Sequence, residues 1–403
     1  TDIGVKAMLR FHNEVVCICY SCGVFNIFAR SIVNSKSDII IEKLGRLFMN
    51  SEILEKFASL VAGVGINAQA NDGILLNASY ELADMARLVA RECWKKGARD
   101  VIVRLNDIEL YKIKLLYAKD EVFDEYPSFE VDYMEALLKR DYARISLSVP
   151  DLKAFEGMDK DKLKRLNAAS SKALEVTHKY MDSGRIKWTV INVPSVSWAK
   201  AVYPELGEEE GLNKLWQDVI SVMRLDSENP VKAWQEHDDL LKIRQNWLNE
   251  QGFEYMEYKA PGTDLKVYLA DEHVWLGGSS VTPSGIRYMP NMPTEEIFSA
   301  PHRLKVYGKL RATLPLCLMG NIIEGMEFEF DEGKVVSFKA EKNGEILESM
   351  MNMDEGASRL GWRGAVSVIG WWASVASRSR GWYEQPYAQA QELLAGGPDG
   401  HRR

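Results

Sequence analysis

Apolar positions along this chain follow two different rhythms. From Asn50 the spacing is helical. Ile53, Leu54, Phe57, Leu60 and Val61 recur at three- and four-residue intervals and mark one helix face. Asn50 or Ser51 can cap that helix, Glu52 suits the positive end of its dipole, and Gly63 and Gly65 are expected to end it. Ile74-Leu75-Leu76 reads as a short buried strand. Leu82, Met85, Leu88, Val89 and Cys93 return to helical spacing, with Gly97 as the stop, and Val101-Ile102-Val103 reads as the next strand. Strand, helix and strand form a right-handed parallel crossover. The pattern repeats with a helix near 134–141, a strand at 145–149, a helix at 160–181 and a strand at 187–193. Helices at about 212–223 and 231–250 follow, the second with Trp234, Leu241 and Leu248 in a seven-residue core stripe.

After Gly252 the period shortens to two. Tyr255, Tyr258, Leu265, Val267 and Leu269 flank the turn Pro261-Gly262-Thr263-Asp264. Met326, Phe328 and Phe330 alternate with acidic residues before the turn Asp331-Glu332-Gly333-Lys334. Such alternation between glycine-containing turns predicts antiparallel hairpins. The expected fold is an α/β domain over 49–251, followed over 252–360 by an α+β domain that is mostly antiparallel β.

Both ends break these rhythms. Residues 1–48 lack caps and periodicity. Gly45-Arg46 can be encoded by a purine run resembling a ribosome-binding site ahead of Met49, so this segment is expected to be upstream sequence translated in frame; a genuine extension is the alternative. From Gly361 to Arg403 there is no lysine, and Trp362, Trp371, Trp372 and Trp382 supply four of the chain's 11 tryptophans. That abrupt change reads as an out-of-frame stretch or a junction, against the alternative of a loosely structured tail.

Composition narrows the function classes. The chain has 403 residues, 46% hydrophobic and 27% charged, enough to bury a sizeable core. A net charge of −8 argues against nucleic acid, which selects a basic surface. The run from Val15 to Ile32 is broken by Cys, Asn, Ser and Arg30, so no membrane span is expected. Cys93 and Cys317, two of five cysteines, are expected as buried thiols. Cys17, Cys19 and Cys22 cluster beside His12 without the paired spacing of a structural zinc site. A cytoplasmic compartment follows from this cysteine usage.

Candidate chemistry lies between Gly262 and His302. The stretch contains Gly262-Thr263-Asp264-Leu265, Trp275-Leu276-Gly277-Gly278, and Met289-Pro290-Asn291-Met292-Pro293-Thr294-Glu295-Glu296-Ile297-Phe298, ending on Ala300-Pro301-His302. Two prolines stiffen the loop. Thr294 can cap a helical turn holding Glu295 and Glu296, and the two carboxylates could simply answer that turn's dipole. A rigid loop also preorganises a carboxylate for a metal. Physical reasoning alone leaves both readings open. His302 reads as a surface or supporting residue, His273 as a loop residue, and His178 and His237 as solvated helix positions. Gly63-Val64-Gly65 follows a helix, which argues against a phosphate loop. Ser279-Ser280 lacks an evident His or Asp partner for serine hydrolysis.

From Met49 to Leu360 the chain resembles the thermophilic metallo-aminopeptidase family. The resemblance rests on the Gly262–His302 phrase with its Pro-Asn-Met-Pro-Thr-Glu-Glu core. It extends to Trp188-Thr189-Val190, Trp198-Ala199-Lys200, Phe338-Lys339-Ala340-Glu341-Lys342 and Asp354-Glu355-Gly356-Ala357. It implies a homodimeric exopeptidase that removes N-terminal residues from peptides, with two divalent ions, zinc or cobalt, activating a water. It also implies that 252–360 is a partial catalytic domain and 361–403 an aberrant tail. Glu296 matches the family's first carboxylate ligand, with Glu295 as the fallback. The second carboxylate belongs in a Leu-Gly-Glu triplet, which here reads Leu360-Gly361-Trp362. The family's later His, Asp and Tyr positions have no counterpart; His401 is the only histidine after His302. The expectation is a chain that retains Glu296 as its sole metal ligand and no catalytic residue, does not keep the metal pair, and is catalytically impaired. The alternative is a non-catalytic, partly folded or peptide-binding relative.

Overall fold

The structure is a computed structural model. It describes residues 51–360, apart from 150, 152–153, 156, 176, 178–179, 181–183, 314–315, 319–320 and 353–355. It also describes an antiparallel pair of strands at Glu14–Cys19 and Val24–Ala29. The readings placed on His12, Cys22, His178, Asp354, Glu355, Trp362 and His401, and on the thiols of Cys17, Cys19 and Cys317, fall outside the described residues.

In chain order the main elements are α1 (Ser51–Leu60), β1 (Gly73–Ser79), α2 (Ala83–Lys95), β2 (Asp100–Asn106), α3 (Ile108–Tyr117), α4 (Ser128–Leu138), β3 (Ala143–Ser148), α5 (Lys160–Ala173), β4 (Trp188–Asn192), α6 (Val196–Val202), α7 (Glu208–Val222) and α8 (Pro230–Gln251). There follow β5 (Tyr255–Ala260), β6 (Thr263–Leu269), β7 (Leu276–Gly277), β8 (Asn291–Met292), β9 (Ile297–Phe298), β10 (Pro301–Arg311), β11 (Glu327–Asp331), β12 (Lys334–Lys339) and α9 (Gly344–Met351). Two compact units result. One, the α/β unit, takes the described residues between 51 and 237 plus Ser279–Thr294. The other, the β unit, takes Asp238–Gly278 and the described residues from Glu295 on.

The α/β unit is built on a five-stranded sheet in the order β2-β1-β3-β4-β8, with every pair parallel. Ile74, Leu75 and Leu76 are fully buried in its centre, as a continuous apolar run in a parallel sheet requires. Met85, Val89 and Cys93 bury the inner face of α2, and Phe57, Leu60 and Val61 that of α1. The helix begun by α1 does not stop at Gly63: a π-helical turn carries it through Val61–Gly65, with the Ile66 amide donating to the Val61 carbonyl at 2.9 Å. Helix α3 has no counterpart in the sequence-based expectation. Asp107 caps it by accepting from the amides of Glu109 and Leu110. It escapes a periodicity search because apolar residues ring it: Leu115 points inward while Leu110, Ile113, Leu116 and Tyr117 are exposed.

Two buried charged groups in this unit, Lys187 and Asp218, are paired. Lys187, 6% exposed, reaches across the base of the sheet to Asp72 at 2.6 Å and to the Asn67 carbonyl at 2.9 Å. Together they pin the loop that feeds β1. The nearby Cys93 thiol is free and buried, and desolvation pushes its pKa up to about 12, against an opposing pull from Lys187. Tyr203 hydrogen-bonds the buried Asp218, and Lys214 adds a contact at 3.2 Å.

The β unit carries the antiparallel sheet β12-β11-β10-β6-β5. Its hairpins fall where the period-two alternation predicts. Tyr258 faces Leu265 across β5 and β6, and Asp331 faces Lys334 across the Glu332-Gly333 turn between β11 and β12. Leu265, Val267, Val306, Leu310, Phe330 and Leu360 share one core cluster on this sheet.

Removing the cation from the Lys187 cluster leaves a partly buried carboxylate and a carbonyl without their partner. Lys187→Ala is expected to destabilise the protein by about 3 kcal/mol. Denaturant titration checks this, and in the Asp72→Ala background the same substitution should cost clearly less, because the two groups share one interaction.

Candidate functional site

The Pro-rich motif is held at both ends by strand pairing. On its N-terminal side, Asn291 and Met292 pair in parallel register with Val190 and Ile191, and the Val190 amide donates to the Pro290 carbonyl at 2.8 Å. The motif thus supplies the fifth, edge strand of the parallel sheet. Pro290 is tolerated there because an edge strand can lack a donor. One step earlier, the Met289 amide donates to the Gly65 carbonyl at 2.8 Å, which ties the loop to the π-helical turn. The Met292–Pro293 peptide is cis.

On its C-terminal side, within the β unit, Ile297 and Phe298 pair antiparallel with Gly277 and Leu276. Between the two anchors, residues 294–296 are irregular. The expected helical turn capped by Thr294 does not form. The Thr294 carbonyl accepts a hydrogen bond from His237 Nε2 at 2.9 Å. Glu295 is partly exposed, whereas Glu296 is buried, with 3% of its surface accessible.

Two glycines allow close approaches here, Gly277 to Glu296 and Gly278 to Asp238. A β-carbon at Gly277 would lie 2.3 Å from the Glu296 carbonyl oxygen, and one at Gly278 would lie 2.4 Å from Asp238 Oδ1. Gly278 also adopts φ +61°, a left-handed conformation that side chains disfavour. Asp238, itself 3% exposed, is therefore seated against the strand that pairs with the motif. Lys242, one helical turn on, donates from Nζ to the Gly277 carbonyl at 2.8 Å. Asn249 brackets the next stretch: its Oδ1 accepts from the Trp275 amide at 2.7 Å, and its Nδ2 donates to the Trp275 carbonyl at 3.1 Å. Leu241, Leu248, Trp275 and Ile297 close the core around this support.

One histidine departs from the sequence-based expectation. His237, expected on a solvated face, is 4% exposed and edge-on to Trp234, with ring centroids 5.4 Å apart. His302 accepts at Nδ1 from the Leu304 amide at 3.1 Å, and His273 Nδ1 lies 3.1 Å from the Ala270 carbonyl, so both turn toward their own backbone. Helical spacing held the missing signal for the supports of the motif. His237 and Asp238 lie three and four residues after the core residue Trp234, which puts them on the buried face of α8. Among the described residues, no group of three or more His, Cys, Asp or Glu side chains gathers closely enough to hold a metal ion.

A family profile described as thermophilic metalloprotease (M29) matches residues 50–363. The chain belongs to the thermophilic metalloprotease (M29) family. Aminopeptidase AmpS of Bacillus subtilis (strain 168) is 39% identical over 313 residues, which cover 77% of this chain and 76% of that protein. Aminopeptidase T of Thermus thermophilus is 37% identical over 308 residues, 76% of each. A solved structure titled wild-type AmpT from Thermus thermophilus superposes with a TM-score of 0.73 at 35% identity, covering 77% of each chain. The α/β plus antiparallel architecture expected from the sequence is the fold of this metalloprotease family.

The close approach at Gly277 defines a test. In Gly277→Ala the methyl group meets backbone on the motif strand, which cannot swing aside as a side-chain tip could. A loss of about 2 kcal/mol or more is expected in thermal or denaturant unfolding, with Gly285→Ala, where nothing lies within 4 Å but φ is +85°, as the comparison that carries backbone strain alone.

Proposed function

We propose that this chain derives from a metal-dependent aminopeptidase acting on the N-terminal residues of peptides, and that Glu296 is its surviving metal-ligand carboxylate. The supporting observation is the placement of Glu296: a buried carboxylate, four residues beyond a pinned edge strand, on a segment that Gly277 approaches too closely to leave slack. The relatives named aminopeptidases share the matched three quarters of the chain. With the family reading come zinc or cobalt as the ions, a homodimer as the assembly and the cytoplasm as the compartment.

The residues present do not fit a dinuclear metal centre. One buried glutamate cannot hold two divalent ions, each of which needs several deprotonated donors. Where the resemblance places a second carboxylate the sequence has Trp362, whose indole nitrogen is a donor with no lone pair to offer. We therefore read this chain as catalytically impaired, a protein that keeps the family scaffold and its first ligand position without the remainder of the centre. A non-catalytic peptide-binding role is the second reading, favoured by the same tryptophan.

Elemental analysis after exhaustive dialysis is expected to find far less than one zinc or cobalt per chain, and no peptide hydrolysis on addition of either ion. Two tightly held ions per chain would place the centre on residues other than those proposed. In a chain carrying the family's usual sequence after Leu360, Glu296→Gln should abolish turnover with an unchanged circular dichroism spectrum. If Glu295→Gln is the inactive variant instead, the ligand is its neighbour.

A further inference from the structure

A polar residue buried beside the motif calls for a role. His237 lies on α8 within the α/β unit, 4% exposed, and its Nε2 is 2.9 Å from the carbonyl oxygen of Thr294, itself buried at 6%. A carbonyl can only accept, so Nε2 must carry the proton. The ring is oriented from behind. Trp234, fully buried, meets it edge to face at 5.4 Å and is fixed in turn by its own Nε1 donating to the Met223 carbonyl at 2.7 Å. The Arg224 guanidinium covers the Trp234 ring at 4.6 Å. A chain of fixed contacts thus runs from Met223 through Trp234 and His237 to Thr294.

Thr294 is the last motif residue before the glutamate pair. Strand pairing ends at Met292 and resumes at Ile297, so the backbone between them has no ladder to fix it. We infer that His237 is a positioning residue: its Nε2–H latches the Thr294 carbonyl and fixes the motif backbone at the residue that directly precedes the glutamate pair. The latch rests on the reading of Glu296 as the functional carboxylate for its purpose, and on the geometry alone for its existence. It touches no reacting atom and acts through the backbone of the motif.

Two polar substitutions of similar burial separate latching from packing. An Asn amide at 237 falls short of the Nε2 position, whereas a Gln amide can reach it. Native-state hydrogen–deuterium exchange on the full chain, read over the peptide containing residues 294–298, is the measurement. His237→Asn should accelerate exchange there by at least about fivefold, the effect of leaving a buried carbonyl unpaired, with no change over Gly73–Ser79. His237→Gln should restore the protection to within about twofold. Equal acceleration in both variants, acceleration spread evenly over the α/β unit, or no change at 294–298 would each overturn the latch. Local loosening that Gln rescues, combined with an active Glu296→Gln variant in the repaired chain, would uphold the latch while removing the role assigned to Glu296.

Discussion

The parallel pairing of Asn291–Met292 with Trp188–Asn192 is the constraint on which the site depends. A segment distant in sequence supplies the last strand of the sheet, and with it the prolines flanking that strand are placed. Backbone hydrogen bonds at Val190 and Met289 fix the segment in register. Because side-chain direction alternates with each strand residue, a slip of one would exchange the buried Met292 for Asn291. Register and burial therefore enforce each other. The stretch that follows inherits its starting point from a rigid edge rather than from a free loop.

A second constraint comes from contacts too close for side chains. Gly277 and Gly278 let the motif strand and Asp238 approach to distances at which any β-carbon would collide. Several backbone groups beside this packing are gripped by side chains: Lys242 on the Gly277 carbonyl, Asn249 on both sides of Trp275, His237 on Thr294. Unpaired, each would cost on the order of 1–3 kcal/mol. The long helix α8 thus contributes more than a hydrophobic stripe. Its buried face alternates Trp234, Leu241 and Leu248 with polar groups that grip backbone.

For function, a family scaffold and a metal centre are separable properties. The scaffold needs apolar periodicity and a handful of close contacts, and these run through to Leu360, which is buried in the core of the antiparallel sheet. A dinuclear centre needs several donors gathered from distant stretches of chain. Changing donors in one stretch can therefore alter the chemistry of such a fold without altering its packing.

Much of the architecture was legible in the sequence. Continuous apolar runs at Ile74–Leu76 and alternation at Met326–Phe330 specify which strands are buried on two faces and which on one, since burial acts on each residue through its own position in the period. Helix α3 was not legible, because its apolar residues circle the helix and leave no face to detect. Nor was the extension of α1 through Gly63, where the Ile66 amide bonds five residues back. The glutamate pair could be found in the sequence but its conformation could not: Thr294 has the chemistry of a helix cap, and its carbonyl is instead held by a histidine 57 residues away. The sequence by itself determined the fold class, the hairpins and the location of Glu296, because these follow from local periodicity and from the motif. Tertiary structure alone decided that the motif becomes a sheet strand, that Glu296 is buried, that His237 holds the Thr294 carbonyl and that Asp238 packs against Gly278. Pairing between segments a hundred residues apart depends on which partner edge is open, and that is settled only when the whole chain packs.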